Sequence, residues 1–274
     1  MKIALCCICR LENRYINEFI EYYFSIGVDK IFIYDNNYDG EEHFEDVIDN
    51  KLIGDKIEII DYRNRSYCQT SSYQDCYDKN KNEFDWFLFI DVDEFLCING
   101  NKNIKEFLSQ EKFNEFDMIH INWMIFSDNN LIHYEDKPVI ERFTTPVLPL
   151  DWKKNLLIGE NFHVKSIVRG GLDGVKWVLT PHTPNGVEKC CDASGKKTKA
   201  ESPFQKNDYT YAYFKHFTTK TIDEWLEIKM KRGYPDGNKD FFKKNNPIKE
   251  FFKVNQVTED KVNFIKEKGF EHLL

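Results

Sequence analysis

Residues 86 to 94 read Trp86-Phe87-Leu88-Phe89-Ile90-Asp91-Val92-Asp93-Glu94, an apolar run that ends in three acids within four positions. A short, continuous apolar run without polar alternation is the pattern of a strand covered on both faces, as in a parallel sheet. In such sheets ligands bind beyond the carboxyl ends of the strands, which is where these acids fall. The stretch therefore predicts a buried central strand with a polar site at its exit.

Working outward, Lys2 to Cys9, Lys30 to Tyr34 and Lys56 to Ile60 have the same strand-like character. Between the first two, Ile16, Phe19, Ile20, Tyr23 and Phe24 share one helical face, with Asn13 as the expected cap and Gly27 as the stop. Gln69 to Lys81 reads as a polar helix ahead of the motif strand. This strand-helix alternation predicts an α/β fold: right-handed βαβ units and a mostly parallel sheet with helices on both faces. The strand exits then single out Arg10, Asp35, Asp61 to Arg65, and Asp91 to Glu94. Beyond residue 122 the pattern is less regular, with strand-like pieces at Val139 to Phe143, His163 to Val168 and Tyr211 to Phe214. The lysine-rich Glu188 to Lys206 is expected to be a mobile loop. A helix is expected from Thr221 to Lys231, and an amphipathic segment from Thr258 onward.

Bulk properties narrow the function classes. With 274 residues, 41% apolar and 15% aromatic, the chain can bury a substantial core, and one main domain is expected. A mean hydropathy of -0.59 argues against an integral membrane protein. The net charge of -8 argues against a nucleic-acid surface, which needs a clustered basic face. Met1-Lys2 leads straight into a strand-like run with no secretory leader pattern, so a cytoplasmic location is expected. Of eight cysteines, Cys6 and Cys9 form the one Cys-x-x-Cys, and reduced, buried thiols are expected.

Among 23 aspartates, chance alone supplies about two Asp-x-Asp pairs, yet Asp91-Val92-Asp93 is the only one. Its position at a strand exit gives the pair meaning. Two carboxylates there offer hard oxygen ligands for Mg²⁺ or Mn²⁺, which can neutralise a diphosphate leaving group. The alternative is that Asp91 or Asp93 caps a following helix.

Phe89 to Leu96, together with Arg10-Leu11-Glu12-Asn13, Gly27-Val28, Tyr34-Asp35-Asn36 and Gln69 to Cys76, resembles the GT-A glycosyltransferases related to families 2 and 92. Lys165-Ser166-Ile167-Val168, Pro181-His182, Lys215-His216-Phe217, Lys229 and Arg232-Gly233 are similar to later landmarks of that group, in the same order. The resemblance implies a Rossmann-like GT-A fold. Residues 1–122 would form the nucleotide-sugar-binding half, 123–235 a less regular acceptor-side half of the same domain, and 236–274 a helical appendage.

It further implies a divalent cation, Mn²⁺ or Mg²⁺, held by Asp93 with Asp91 directly or through water, and His216 as a further ligand. Asp35 is expected to contact the donor base or ribose. Arg10, Arg63 and Arg65 are expected at the phosphates, whose oxygens match a guanidinium fork, with Lys229 and Arg232 adding countercharge. Asp128 is the expected catalytic base, with Asp151 and Glu160 as alternatives. It stands where related families have a glycine-containing segment. Trp123 and Trp152 are candidate sugar platforms. The implied reaction is inverting transfer of a hexose, galactose first, from a UDP-sugar to a glycan or glycolipid acceptor in surface polysaccharide or lipo-oligosaccharide synthesis. Peripheral membrane association is compatible with the amphipathic end. Competing classes are a sugar nucleotidyltransferase, disfavoured by the lack of a glycine-rich phosphate loop after the first strand, and a degenerate glycan-binding subunit.

Overall fold

Strand β1 (Ile3–Cys9) lies between two parallel neighbours, β2 (Lys30–Asp35) and the strand of the motif, Trp86–Phe89. Both faces of that motif strand are covered, and all four of its residues are buried, as the unbroken apolar run requires. The computed structural model describes residues 1–147, 161–233 and 245–274. On the far side of β2, β3 (Ile57–Asp61) pairs in parallel, and the motif strand is β4. The crossovers between these strands carry α1 (Asn13–Ser25), the short α2 (Phe44–Val47) and α3 (Gln69–Asn80). The expected α/β architecture is present, with its parallel pairing concentrated in the order β3-β2-β1-β4.

Beyond β4 the pairing changes direction. β7 (Val164–Arg169) runs antiparallel to β4 and to β6 (Met118–Ile125). The sheet continues through β9 (Ala212–His216) to β5 (Glu94–Ile98), and β8 (Cys190–Asp192) pairs in parallel with β6. Strand β5 begins directly at Glu94, so the acidic motif is a strand-to-strand turn and neither aspartate caps a helix.

Three local features have clear physical causes. In α1, Tyr15, Ile16, Phe19, Ile20 and Tyr23 are buried, and Gly27 at φ 101° closes the helix while the Val28 N–H bonds back to the Tyr23 carbonyl. Asn13 is the first helical residue, not the cap; its side chain donates to the Glu42 carbonyl. Residues 139–143, expected as a strand, instead form the helix Val139–Arg142, with Pro138 as its N-cap residue. Within Glu188 to Lys206, the expected mobile loop, β8 is ordered. Asp192 ties the following turn by accepting from the N–H groups of Ser194 and Lys196.

Aromatic packing dominates the core between α3 and the sheet. Tyr73, Tyr77, Phe87, Phe89 and Trp177 lie ring against ring, with Tyr73 to Trp177 at 5.2 Å and Phe89 to Trp177 at 4.7 Å. All eight cysteines are free, and all but the half-buried Cys97 are buried. They behave as small hydrophobes, as expected.

The chain divides into two compact units, Met1–Trp123 with Asn161–Lys215, and Met124–Glu160 with His216–Leu274. The first carries the sheet. The second has its own core of Ile222, Trp225, Leu226, Ile248, Phe251, Phe264 and Ile265. Here the expected helix is a succession of Ile222–Glu224, a π-helical turn Trp225–Lys229, and Met230–Arg232. Thr221 and Glu224 form a capping box at its start, and Glu224 receives a two-pronged ion pair from Arg142 at 2.8 and 3.0 Å.

Candidate metal and donor site

The antiparallel register of β4 and β7 pairs Trp86 with Arg169, Phe87 with Val168 and Leu88 with Ile167. Continued by two residues, that register brings Lys165 alongside Ile90, next to the acidic turn. The Lys165 ammonium, fully buried, lies 2.9 Å from Asp91 Oδ2 and 3.7 Å from Glu94 Oε1. Asp91 Oδ1 accepts from the Gln69 amide at 2.7 Å and from the Tyr73 hydroxyl at 3.4 Å. Helix α3 and strand β7 thus hold the first aspartate of the motif from both sides. Neither Lys165 nor Gln69 had a role in the sequence reading beyond its place in an ordered landmark.

Glu94 is wholly buried, and its Oε2 accepts the Asp91 N–H at 3.2 Å. Burial pushes its carboxyl well above the usual carboxylate range, reinforced by Asp91 and Asp93 and only partly offset by Lys165. Burial alone would lower the Lys165 pKa, but Asp91, Glu94 and Asp93 outweigh it and hold the ammonium above the ordinary lysine range. One buried lysine is thus shared by two acids of the turn, Asp91 and Glu94.

His216 is the last residue of β9, the strand next to β5 in the sheet. Asp93, Glu94 and His216 are buried, and each offers a ligand atom such that all lie within 4.8 Å of one another. Glu94 Oε1 accepts no hydrogen bond, and a cation is one partner that would use its lone pair. Two carboxylates and an imidazole suit a divalent ion, and the nitrogen ligand favours Mn²⁺ over Mg²⁺. Asp91, expected to share the cation directly or through water, is not among these three residues; Glu94 is.

The other expected site residues are placed as follows. Asp35 is fully buried at the end of β2; its Oδ1 accepts the Asn37 N–H, and its Oδ2 lies 3.5 Å from both His43 Nδ1 and Arg63 Nε. That is the turn chemistry its sequence also allowed. The Arg10 guanidinium lies 3.5 Å from the Tyr38 ring centroid and bonds Glu41, whose carboxyl it holds below the usual range. Arg65 is exposed and stacks over Tyr62 at 4.1 Å. Trp123 is buried against His163 and His182.

In the second unit, Lys229 ends the π turn and Arg232 ends the helical run, both half-buried. Asp128 is buried and lies 2.5 Å from Lys261 Nζ, while its N–H donates to Asn255 and its Oδ1 accepts from the Asn130 N–H. That enclosure is the setting of a buried ion pair. Asp151, Trp152 and Glu160 lie outside the described residues.

A sheet with an acidic strand-exit turn and a buried acid-histidine cluster is the setting in which likeness to known proteins becomes informative. The family model for glycosyltransferase family 92 matches residues 4–230, and the chain belongs to that family. A glycosyltransferase family 92 protein of Oryza sativa subsp. japonica is 31% identical over 107 residues, covering 39% of this chain and 18% of the relative. One from Ricinus communis is 24% identical over 159 residues, covering 57% of this chain and 28% of the relative. The chain thus spans less than a third of the curated relatives it matches. Among solved structures, Staphylococcus aureus TarS is similar at a TM-score of 0.37 and 12% identity, covering 99% of this chain and 43% of that one. Among the described residues, no helix is long and apolar enough to cross a membrane.

Proposed function

We propose that this chain is a metal-dependent glycosyltransferase of the GT-A type that moves a hexose from a nucleotide sugar to a glycan or glycolipid acceptor. The observation that carries this reading is the buried Asp93, Glu94 and His216 cluster at the exit of the motif strand, in a chain of family 92. Those three residues would hold the cation, with Mn²⁺ favoured. When bound, it supplies Lewis-acid neutralisation of the diphosphate leaving group. The protein's own residues do the rest. Asp91 is fixed by Lys165, Gln69 and Tyr73 as a rigid acceptor beside the donor. Burial of the acidic turn excludes water from the reacting centre. Residues 1–122 supply the donor-binding half in this reading, 123–235 the acceptor side, and 236–274 an appendage. Arg63, Lys229 and Arg232 are the cations assigned to donor phosphates.

The reaction is inverting. An acceptor hydroxyl attacks the anomeric carbon, the bond to the diphosphate oxygen breaks, and the electron pair leaves with the nucleoside diphosphate while a base takes the hydroxyl proton. UDP-galactose is the first donor to test, and a surface polysaccharide or lipo-oligosaccharide the first acceptor class. With Mn²⁺ and a panel of sugar nucleotides, slow release of nucleoside diphosphate without acceptor is expected. Absence of donor binding by calorimetry, with and without Mn²⁺, would sink the reading.

A further inference from the structure

We infer that Lys165 is a resident cation of this site: it commits Asp91 to an internal ion pair and thereby sets the charge that the metal ligands present. The inference rests on the metal reading of Asp93, Glu94 and His216. Its own basis is separate and lies in the geometry of Asp91. Both oxygens of that carboxylate are engaged within the protein, Oδ2 by the Lys165 ammonium at 2.9 Å and Oδ1 by Gln69 at 2.7 Å. The same ammonium lies 3.7 Å from Glu94 Oε1, the atom that accepts no hydrogen bond.

The Lys165 charge lies close to two acids of the turn, 2.9 Å from Asp91 and 3.7 Å from Glu94, so it acts on whatever field the turn offers a cation. A buried lysine is costly to place unless paired, and this one comes from the strand next to β4, where the sheet register fixes its position. Lys165 is therefore a positioning residue. It keeps Asp91 from swinging onto the cation, and its positive charge weakens the pull of the acidic turn, so that the metal is held without being trapped. Because Lys165 also touches Glu94, it biases which Glu94 oxygen faces Asp93 and His216.

The test is Mn²⁺ affinity, read by the electron paramagnetic resonance of free Mn²⁺, in the unmodified chain and in Lys165→Met. Removing a buried positive charge this close to the cation is expected to tighten Mn²⁺ binding by about fivefold or more. A purely structural lysine would leave the affinity unchanged or weakened, and either result overturns the inference. Should Lys165→Met fail to fold, the double variant Asp91→Asn/Lys165→Met leaves neither charge alone. It is expected to fold and to bind Mn²⁺ within about twofold of the unmodified chain, since Asp91 is not a ligand. A loss of tenfold or more in the double variant would show Asp91 on the metal and overturn the inference. If the unmodified chain binds no Mn²⁺, the metal reading falls and this inference with it; if it binds and only the Lys165 results fail, the metal reading stands.

Discussion

Buried ion pairs occur in both units of this protein, but they balance differently. In the second unit, Arg142 meets Glu224 and Lys261 meets Asp128, one cation to one anion; the Thr221 hydroxyl donates to Glu224, and the Asp128 N–H donates to Asn255. At the exit of the motif strand, one lysine is shared by two carboxylates, Asp91 at 2.9 Å and Glu94 at 3.7 Å, with Asp93 between them in the turn. A closed pair is what a fold uses to fix its own parts. A lysine shared between acids of a crowded turn, beside a candidate metal cluster, is the arrangement of a site with a task beyond holding the fold.

The largest expected effect breaks a closed pair. Lys261→Met leaves Asp128 buried and uncompensated, and should cost about 3–5 kcal/mol in chemical denaturation, whether or not Mn²⁺ is present. A cost below about 1 kcal/mol would contradict the closed-pair reading. Next comes a titration away from the acidic turn. Burial lowers the pKa of His120 to about 4, with Asp192 opposing weakly. A histidine with a depressed folded value favours the folded state above its unfolded value near 6.5, and that contribution is lost as pH falls toward 4. His120→Gln should therefore remove a loss on the order of 3 kcal/mol from the acid limb of the stability curve. An unchanged acid limb would show that His120 is accessible to protons in the folded chain. The smallest effect has the opposite sign. Asp93→Asn removes one acid of the crowded turn, so the metal-free protein should keep or gain up to about 1 kcal/mol, while the rise in melting temperature on adding Mn²⁺ disappears. A clear destabilisation without metal would mean that the acidic turn is already balanced.

The parallel half of the sheet was legible in the sequence because unbroken apolar runs such as Trp86 to Ile90 have one good solution, a doubly covered strand. The antiparallel half was less so. Periodicity cannot show that β7 lies next to β4, so nothing local marked Lys165 as the partner of Asp91. Residues 139–142, expected as a strand, form a helix instead. The motif put Asp93 ahead of Asp91 as the metal residue, and the two do have different neighbours, Lys165 for Asp91 and the cluster with His216 for Asp93. Asp128 is similarly illegible, since its partner Lys261 lies 133 residues away in sequence. Long-range ion pairs leave no local trace.

The most direct measurement is a crystal structure of the protein soaked with Mn²⁺ and a nucleoside diphosphate, with the metal located by its anomalous signal. The account predicts one strong peak bound by Asp93, Glu94 and His216, with Asp91 still on Lys165. A peak elsewhere, or one ligated by Asp91 with Lys165 displaced, would contradict it.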